Sequence, residues 1–347
     1  MSDRRLNFEE RILRRLPRSP ANELISRRRL RDSRLDIARI NRLMDRVRAG
    51  ETLDETETIT LFSIISPELR PAIPVLNDLP EPTDHPLWLD LNESAAQNIL
   101  GKVCKATGRI EYSSGAEFKP YGSGFLVADD LILTNRHVAD VFSMSVRGIG
   151  HFLKFGYDVR INFCREIDRW DTDPTCTKTV TEVLMLHPWF DLALLRIQEK
   201  PDGAEPLSLA IADADTIQDT RVAVVGYPSR NPDEDVDIQR QVIREFDSKH
   251  VSPGFVDEVT VKSFDGKTGR AIGHDSSTLT GNSGSPVVDL QTGNVVGLHF
   301  RGNADGLNWA VPASDIASDT RIIDTGISFD GVAVAQQGPW DTAWAVV

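Results

Sequence analysis

Three short runs in this chain hold the residue types that nucleophilic acyl transfer needs. They are Thr134-Asn135-Arg136-His137-Val138, Asp191-Leu192-Ala193-Leu194-Leu195 and Gly281-Asn282-Ser283-Gly284-Ser285-Pro286. A serine between glycines can be lifted on a tight turn with its hydroxyl exposed. Its own N–H and that of Gly281, two residues earlier, can then point at one spot, where an oxyanion would form. A serine hydroxyl is a weak nucleophile without a base. His137 is the candidate base, and Asp191 the candidate carboxylate that orients its ring. Taken singly, each run has a plainer reading. A histidine in a strand-like run is more often a packed core residue, an Asp before an apolar strand is usually a turn or capping residue, and a Gly-Ser-rich hexapeptide is usually a loop. Their joint occurrence, each beside a short apolar strand, is what the plain readings leave unexplained.

The order along the chain is His, Asp, Ser, with gaps of 54 and 92 residues. That is the chymotrypsin-type order, not that of subtilisin or the α/β-hydrolases. Over about residues 95 to 325 the chain resembles the trypsin-like (chymotrypsin-fold) serine proteases. Within them it is most similar to the bacterial glutamyl endopeptidases, which share Gly-Asn-Ser-Gly-Ser-Pro. The resemblance implies a mainly β fold: a chymotrypsin-like double β-barrel, with His137 and Asp191 on the first barrel and Ser283 on the second. It implies a triad of His137, Asp191 and Ser283, an oxyanion hole from the N–H groups of Gly281 and Ser283, a protein or peptide substrate, and neither cofactor nor metal.

The same resemblance implies that Leu298-His299-Phe300 flanks the specificity pocket and pairs with an extended substrate. Gly297-Leu298-His299-Phe300 resembles the family's Gly-Ile-His-Trp run, and Thr278, five residues before Ser283, matches its threonine. A hydroxyl and an imidazole N–H can both donate to a carboxylate, more strongly if the ring is protonated, so an acidic residue before the scissile bond is implied. Two positions depart from the pattern. Arg301 stands where the family keeps a glycine at the pocket mouth, adding positive charge or blocking entry. The family's use of its N-terminal amine beside the pocket has no counterpart, because the protease-like region begins only near residue 93.

The elements that must position these residues change character along the chain. Residues 1–66 read as a helical, arginine-rich module. Leu30, Ile37 and Met44 recur every seven residues, with Ile40, Leu43 and Val47 on the same face and Gly50 as a stop. A second helix is expected from Asp54 and Glu55 through Leu61, Phe62, Ile64 and Ile65. Residues 67–92 read as a linker, broken by Pro67, Pro71, Pro74, Pro80, Pro82 and Pro86, with Trp88 and Leu89 anchoring its end. Residues 93–328 carry short β-like runs between turn residues, as a barrel requires. Residues 329–347 form a tail with Trp340 and Trp344 that no pattern places.

Composition bounds the remaining classes. With 40% hydrophobic and 26% charged residues the chain has enough apolar content for a sizeable core. The net charge of −13 is uneven: residues 1–50 hold 15 Arg, no Lys and 7 acidic residues, so the rest is strongly acidic. A solvated arginine face on a small helical hairpin explains this as well as a docking surface for a protein partner through residues 1–66 does. Nucleic-acid binding is disfavoured, since acids intersperse the arginines and no base-reading motif accompanies them. Three cysteines without a Cys-x-x-Cys spacing predict neither a disulfide framework nor a zinc site. Together with the charged N-terminal residues and the lack of a spanning apolar stretch, that predicts a cytoplasmic, non-membrane location.

Other motifs fall away. Ile99-Leu100-Gly101-Lys102 resembles a freed zymogen N-terminus, but its partner would be an acid before the catalytic serine, and Asn282 is there. The run is expected to be structural, at the start of a strand. Gly266-Lys267-Thr268 lacks the first glycine of a phosphate loop, since Val261 occupies its place. His85, His151, His187, His250 and His274 show no metal-ligand spacing. The resulting expectation is an intracellular serine endopeptidase gated or targeted by its N-terminal module. The competing readings are a catalytically silent protease-like binding protein and a quality-control protease. An intact triad disfavours the first, and the lack of room for a peptide-binding domain after residue 325 disfavours the second.

Overall fold

The computed structural model describes residues 37–49, 51, 70–85, 87–115, 117–167, 169, 175–231, 236, 239–240, 243–264, 266–302 and 307–344. They fall into two units, one of residues 1–71 and 82–96, the other of residues 72–81 and 97–347. In the first, α1 (Ile37–Arg48) has Leu43 and Met44 buried and Arg42 exposed, as the helical spacing predicts. Just past its end Arg46 pairs with Glu51 at 2.9 Å. Gly50 and the second helix expected over residues 54–65 lie outside the described residues. Farther on, Asn92 closes a loop onto Thr83, its amide donating to the Thr83 carbonyl at 2.8 Å and its oxygen accepting from the Thr83 N–H at 2.9 Å. Trp88 is buried and Leu89 exposed.

The second unit is built on two rings of antiparallel strands. The first is a closed six-stranded barrel of β3 (Thr107–Ser113), β4 (Lys119–Leu126), β5 (Leu131–Thr134), β8 (Asp158–Asn162), β9 (Thr177–Leu186) and β10 (Ala193–Ile197), ordered β10-β5-β4-β3-β8-β9. A helical turn α3 (Arg136–Ala139) and a hairpin of β6 (Ser143–Val146) and β7 (Gly150–Leu153) lie between β5 and β8. The second ring is β11 (Arg221–Gly226), β12 (His250–Phe264), β13 (Lys267–His274), β14 (Pro286–Asp289), β15 (Val295–Gly302) and β16 (Asn308–Pro312), ordered β11-β14-β15-β16-β13-β12. Strand β12 closes it, pairing with β11 through its first residues and with β13 through its last. Closure leaves no free edge in the first barrel, while within the second ring the first residues of β12, which do not pair with β13, keep one side open. Ile110, Phe125, Ile132, Ile161 and Leu194 are fully buried in the first. Val222, Val224, Val256, Ile272, Val287 and Val296 form one cluster in the second. Each such side chain contributes about 1.5–3 kcal/mol by leaving water.

Three expectations are corrected here. Part of the stretch read as linker is a hairpin, β1 (Ile73–Leu76) and β2 (Leu79–Pro80), that extends the second ring, with Ile73 opposite Val251. Ile73 and Val75 are buried, and Asn77 and Asp78 turn the chain with φ of 53° and 63°, a region that short polar side chains tolerate. Pro80 misleads because it ends the edge strand β2, where no N–H is required, and Pro74 because its carbonyl still takes part in the pairing, accepting from the Glu81 N–H at 2.8 Å. Next, Ile99–Lys102 starts no strand and lies inside α2 (Ser94–Ala106). Leu100, Val103 and Cys104 are buried at helical spacing, while Lys102 and Lys105 face water. Third, Cys164 and Cys176 form a disulfide with Cα atoms 5.6 Å apart. Its two halves follow β8 and precede β9, adjacent strands whose pairing brings them together. The cysteine count therefore gives no support to a reduced compartment. Cys104 is free and buried, and burial pushes its thiol up to about 12.

Candidate active site

Strand register carries His137 and Asp191 to one barrel rim. Thr134, the last residue of β5, lies opposite Ala193, the first of β10. His137 follows Thr134 by three residues and Asp191 precedes Ala193 by two, so both leave the sheet at the same end. There Asp191 grips the histidine twice. Its Oδ1 accepts from the His137 main-chain N–H at 2.9 Å, and its Oδ2 meets Nδ1 at 2.6 Å. The Asn135 side-chain amide donates to the Asp191 carbonyl at 2.9 Å, fixing the carboxylate's own backbone. A carboxylate accepts only, so Nδ1 carries a proton, and in the neutral ring Nε2 then keeps its lone pair. Asp191 is largely covered, with 17% side-chain exposure against 44% for His137.

Ser283 lies on a turn that the second ring makes before β14. Gly281 and Gly284 adopt φ of 91° and 87°, which suits glycine alone at no cost. A Cβ on Gly281 would overlap the Tyr227 carbonyl, and one on Gly284 the Ser123 carbonyl. Alternate N–H groups of the turn point inward: Asn282 donates to the Leu279 carbonyl at 3.2 Å and Gly284 to the His299 carbonyl at 2.9 Å. The N–H groups of Gly281 and Ser283 donate to no backbone carbonyl among the described residues. Nor does a hydrogen bond join Ser283 to His137 among them, a contact that is often long before substrate binds.

A residue that motif reading missed holds the two rings together at this point. Ser123 of β4 donates its N–H to the Ser283 carbonyl at 2.8 Å and its hydroxyl to the Gly281 carbonyl at 2.8 Å. Its own carbonyl accepts from Thr134 Oγ1 at 2.7 Å, three residues before the histidine. A Cβ on the neighbouring Gly122 would stand 2.8 Å from Val138 and 3.1 Å from the Ser283 carbonyl. The signal was present as Gly122-Ser123-Gly124, a strand interior of small residues that marks close backbone approach.

The residues expected in the pocket separate. Thr278 donates its hydroxyl to Asn308 Oδ1 at 2.8 Å, and Asn308 donates to the Ser276 carbonyl at 2.6 Å. His299 is buried, its Nδ1 3.2 Å from His274 Nε2. Burial pushes His299 well below the ordinary imidazole range, with His274 and His137 adding to the effect, and burial takes His274 down to about 4. Burial thus favours the neutral His299 ring, so the extra strength that a protonated ring would lend is not favoured in the free protein. A bulge in β15 decides the rest. His299 pairs with Ala310, Arg301 with Trp309 and Gly302 with Asn308, leaving half-buried Phe300 as the extra residue. His299 and Gly302 thus share a face with Asn308, while exposed Arg301 shares the opposite face with Trp309. Arg301 does not join the pocket residues; Gly302 does, since a Cβ there would meet Asn308 at 2.9 Å and Thr278 at 3.9 Å. Nothing in the sequence announces a bulge, so the substitution at 301 looked like a missing glycine.

Residues 122–298, about half the chain, match the trypsin-like peptidase domain family. The chain belongs to that family. It is a serine endopeptidase by that membership, and its fold is that of its family. It is similar to a probable serine protease of Lysobacter enzymogenes, 29% identical over 302 residues that cover 78% of this chain and 77% of that one. It is also similar to the glutamyl endopeptidase of Staphylococcus aureus, 29% identical over 195 residues, 54% of this chain. This chain spans about half the length of the latter. Among solved structures, an active-form protease of M. tuberculosis aligns with a TM-score of 0.45 at 20% identity, covering 70% of this chain and 91% of that one.

Proposed function

We propose that the chain hydrolyses peptide bonds through His137, Asp191 and Ser283, by way of an acyl-enzyme. The observation that carries the reading is the double grip of Asp191 on His137, main-chain N–H to one oxygen and Nδ1–H to the other. With that tautomer, Nε2 is the base. The Ser283 oxygen attacks the carbonyl carbon while its proton passes to Nε2, and the carbonyl electron pair moves onto oxygen. The N–H groups of Gly281 and Ser283, which donate to no backbone carbonyl among the described residues, are the donors for that oxyanion. Collapse breaks the carbon–nitrogen bond as Nε2–H delivers its proton to the departing amine. Water then repeats the sequence on the acyl-enzyme and frees Ser283.

The pocket reading is an acidic side chain before the scissile bond. If His274 donates through Nε2 to His299 Nδ1, the His299 ring must carry its proton on Nε2, the nitrogen left for a substrate carboxylate. The Thr278 hydroxyl, turned to Asn308 in the free protein, is the second donor. Residues 1–66 are proposed to target or gate the enzyme, on the strength of their basic charge against an acidic remainder.

Labelling with a fluorophosphonate tests the reading. The expected result is one adduct on Ser283 and none on Ser283→Ala. A folded full-length chain that stays unlabelled from pH 6 to 9 would support the silent binding protein instead.

A further inference from the structure

His187 is fully buried, is not used in the reaction above, and has both ring nitrogens engaged. Its Nδ1 accepts from the main-chain N–H groups of Trp189 at 3.1 Å and Phe190 at 2.8 Å. Two donors on Nδ1 place the ring proton on Nε2, which donates to Asp319 Oδ2 at 3.0 Å. The same oxygen accepts the indole N–H of Trp344 at 2.7 Å, and Asp319 Oδ1 accepts from the Arg321 N–H at 2.8 Å. Asp319 is buried, and it lies between the one-turn helices α4 (Ala313–Ile316) and α5 (Thr320–Ile323). Trp344 comes from α6 (Pro339–Trp344), in the tail that sequence patterns left unplaced.

Helical spacing puts Trp340 and Trp344 on one face of α6, and both land on the loop before Asp191. Trp344 meets the His187 ring edge-on with centroids 5.2 Å apart, and Trp340 packs on Phe190 at 5.3 Å. His187 in turn stacks on Phe190 at 4.8 Å. From this ring two short connections reach the base. Phe190 is covalently next to Asp191, and its carbonyl accepts from the Leu192 N–H at 2.8 Å. The His187 carbonyl accepts from Arg136 Nη1 at 3.1 Å, and Arg136 precedes His137. One buried histidine therefore lies behind both partners of the His137–Asp191 pair, its ring holding the Phe190 N–H beside Asp191 and its carbonyl holding the Arg136 side chain beside His137.

We infer that His187, Asp319 and Trp344 form a latch through which the tail helix α6 sets the geometry of Asp191 against His137. They are positioning residues for hydrolysis and touch no substrate. The inference rests on the proposed role of His137 and Asp191. A displacement of about 1 Å at a reacting group costs up to 100-fold in rate, and such a loss falls on kcat rather than on substrate binding.

The test uses the full chain with two near-isosteric changes, Asp319→Asn and Trp344→Phe. Asparagine leaves one acceptor oxygen for three donors, the ring N–H groups of His187 and Trp344 and the main-chain N–H of Arg321, and turns an NH2 group toward at least one of them. Phenylalanine keeps an aromatic ring on His187 and removes the indole N–H. The readouts are kcat and KM on a peptide substrate, the limiting rate of fluorophosphonate labelling, and the NMR resonance of the His137 Nδ1 proton. The latch predicts a fall of about tenfold in kcat and labelling rate for Asp319→Asn, a smaller fall for Trp344→Phe, KM within about twofold, and a moved or broadened Nδ1 resonance in both. If Asp319→Asn does not fold, Trp344→Phe decides. Folded variants with wild-type kcat and an unmoved resonance, losing only thermal stability, overturn it. A wild-type chain that is never labelled would sink the catalytic reading instead, and the Nδ1 resonance would still judge the latch.

Discussion

The main-chain N–H of Ser123 donates to the carbonyl of Ser283 at 2.8 Å. Through this bond a strand of the first barrel holds the turn of the second that bears Ser283, the proposed nucleophile. The Ser123 hydroxyl adds two more links, accepting from the Tyr227 N–H at 3.1 Å and donating to the Gly281 carbonyl. Ser123→Ala leaves both of those buried groups unpaired. It is expected to cost about 1–3 kcal/mol of stability and to lower kcat/KM by about tenfold or more, because Gly281 is a proposed oxyanion donor. Denaturant unfolding and steady-state kinetics on the same preparation check it; unchanged kinetics would deny the bond a role in shaping the turn.

Acid should destabilise the fold well before its carboxylates titrate. Burial lowers His187, His250, His274 and His299 below the ordinary imidazole value, with His250 and His274 at about 4. Each folded-state value lies below its unfolded one near 6.5, so between the two the unfolded chain binds more protons. Stability is then fully present above about pH 6.5 and is lost as pH falls toward 4, by up to about 1.4 kcal/mol per pH unit for each histidine. Melting temperatures measured from pH 8 to 4.5 should be level at the top and fall steeply below 6.5. A level profile down to pH 5 would mean these rings are solvated.

Substrate choice can be read from a peptide library. Cleavage is expected mainly after Glu or Asp. His299→Ala and Thr278→Val should each reduce it by about 10- to 100-fold, as the loss of one hydrogen bond of about 1.5–3 kcal/mol to a charged group would. Arg301→Gly should change it little, because exposed Arg301 faces away from Asn308. Cleavage mainly after Arg, Lys or large apolar residues would reject the acidic pocket, and a large effect of Arg301→Gly would reject the bulged register.

Reduction should weaken the first barrel. The Cys164–Cys176 disulfide spans a separation of 12 residues, a loop whose closure is worth about 3 kcal/mol. Cys164→Ser, or excess reductant, should lower the free energy of unfolding by about that amount. Unfolding curves that coincide with and without reductant would show that the two thiols do not pair in solution.

The sequence alone pointed to the mainly β fold class of the protease region and to the three residues proposed to react. His137, Asp191 and Ser283 were legible because each chemical role admits few residue types, and each stands beside a short apolar strand with glycines where the turn needs them. It could not supply what depends on contacts between distant segments. The prolines of residues 71–82 read as a linker because local preference does not reveal that Ile73 finds Val251 across a ring edge. The loss of the glycine at 301 looked decisive because one inserted residue, Phe300, reverses which side chains share a face, and only the pairing with β16 fixes that register. Trp344 and His187 are 157 residues apart, and Ser123 and Ser283 are 160 apart. No periodicity links them, since closing two barrels and docking one helix is a property of the whole chain's packing.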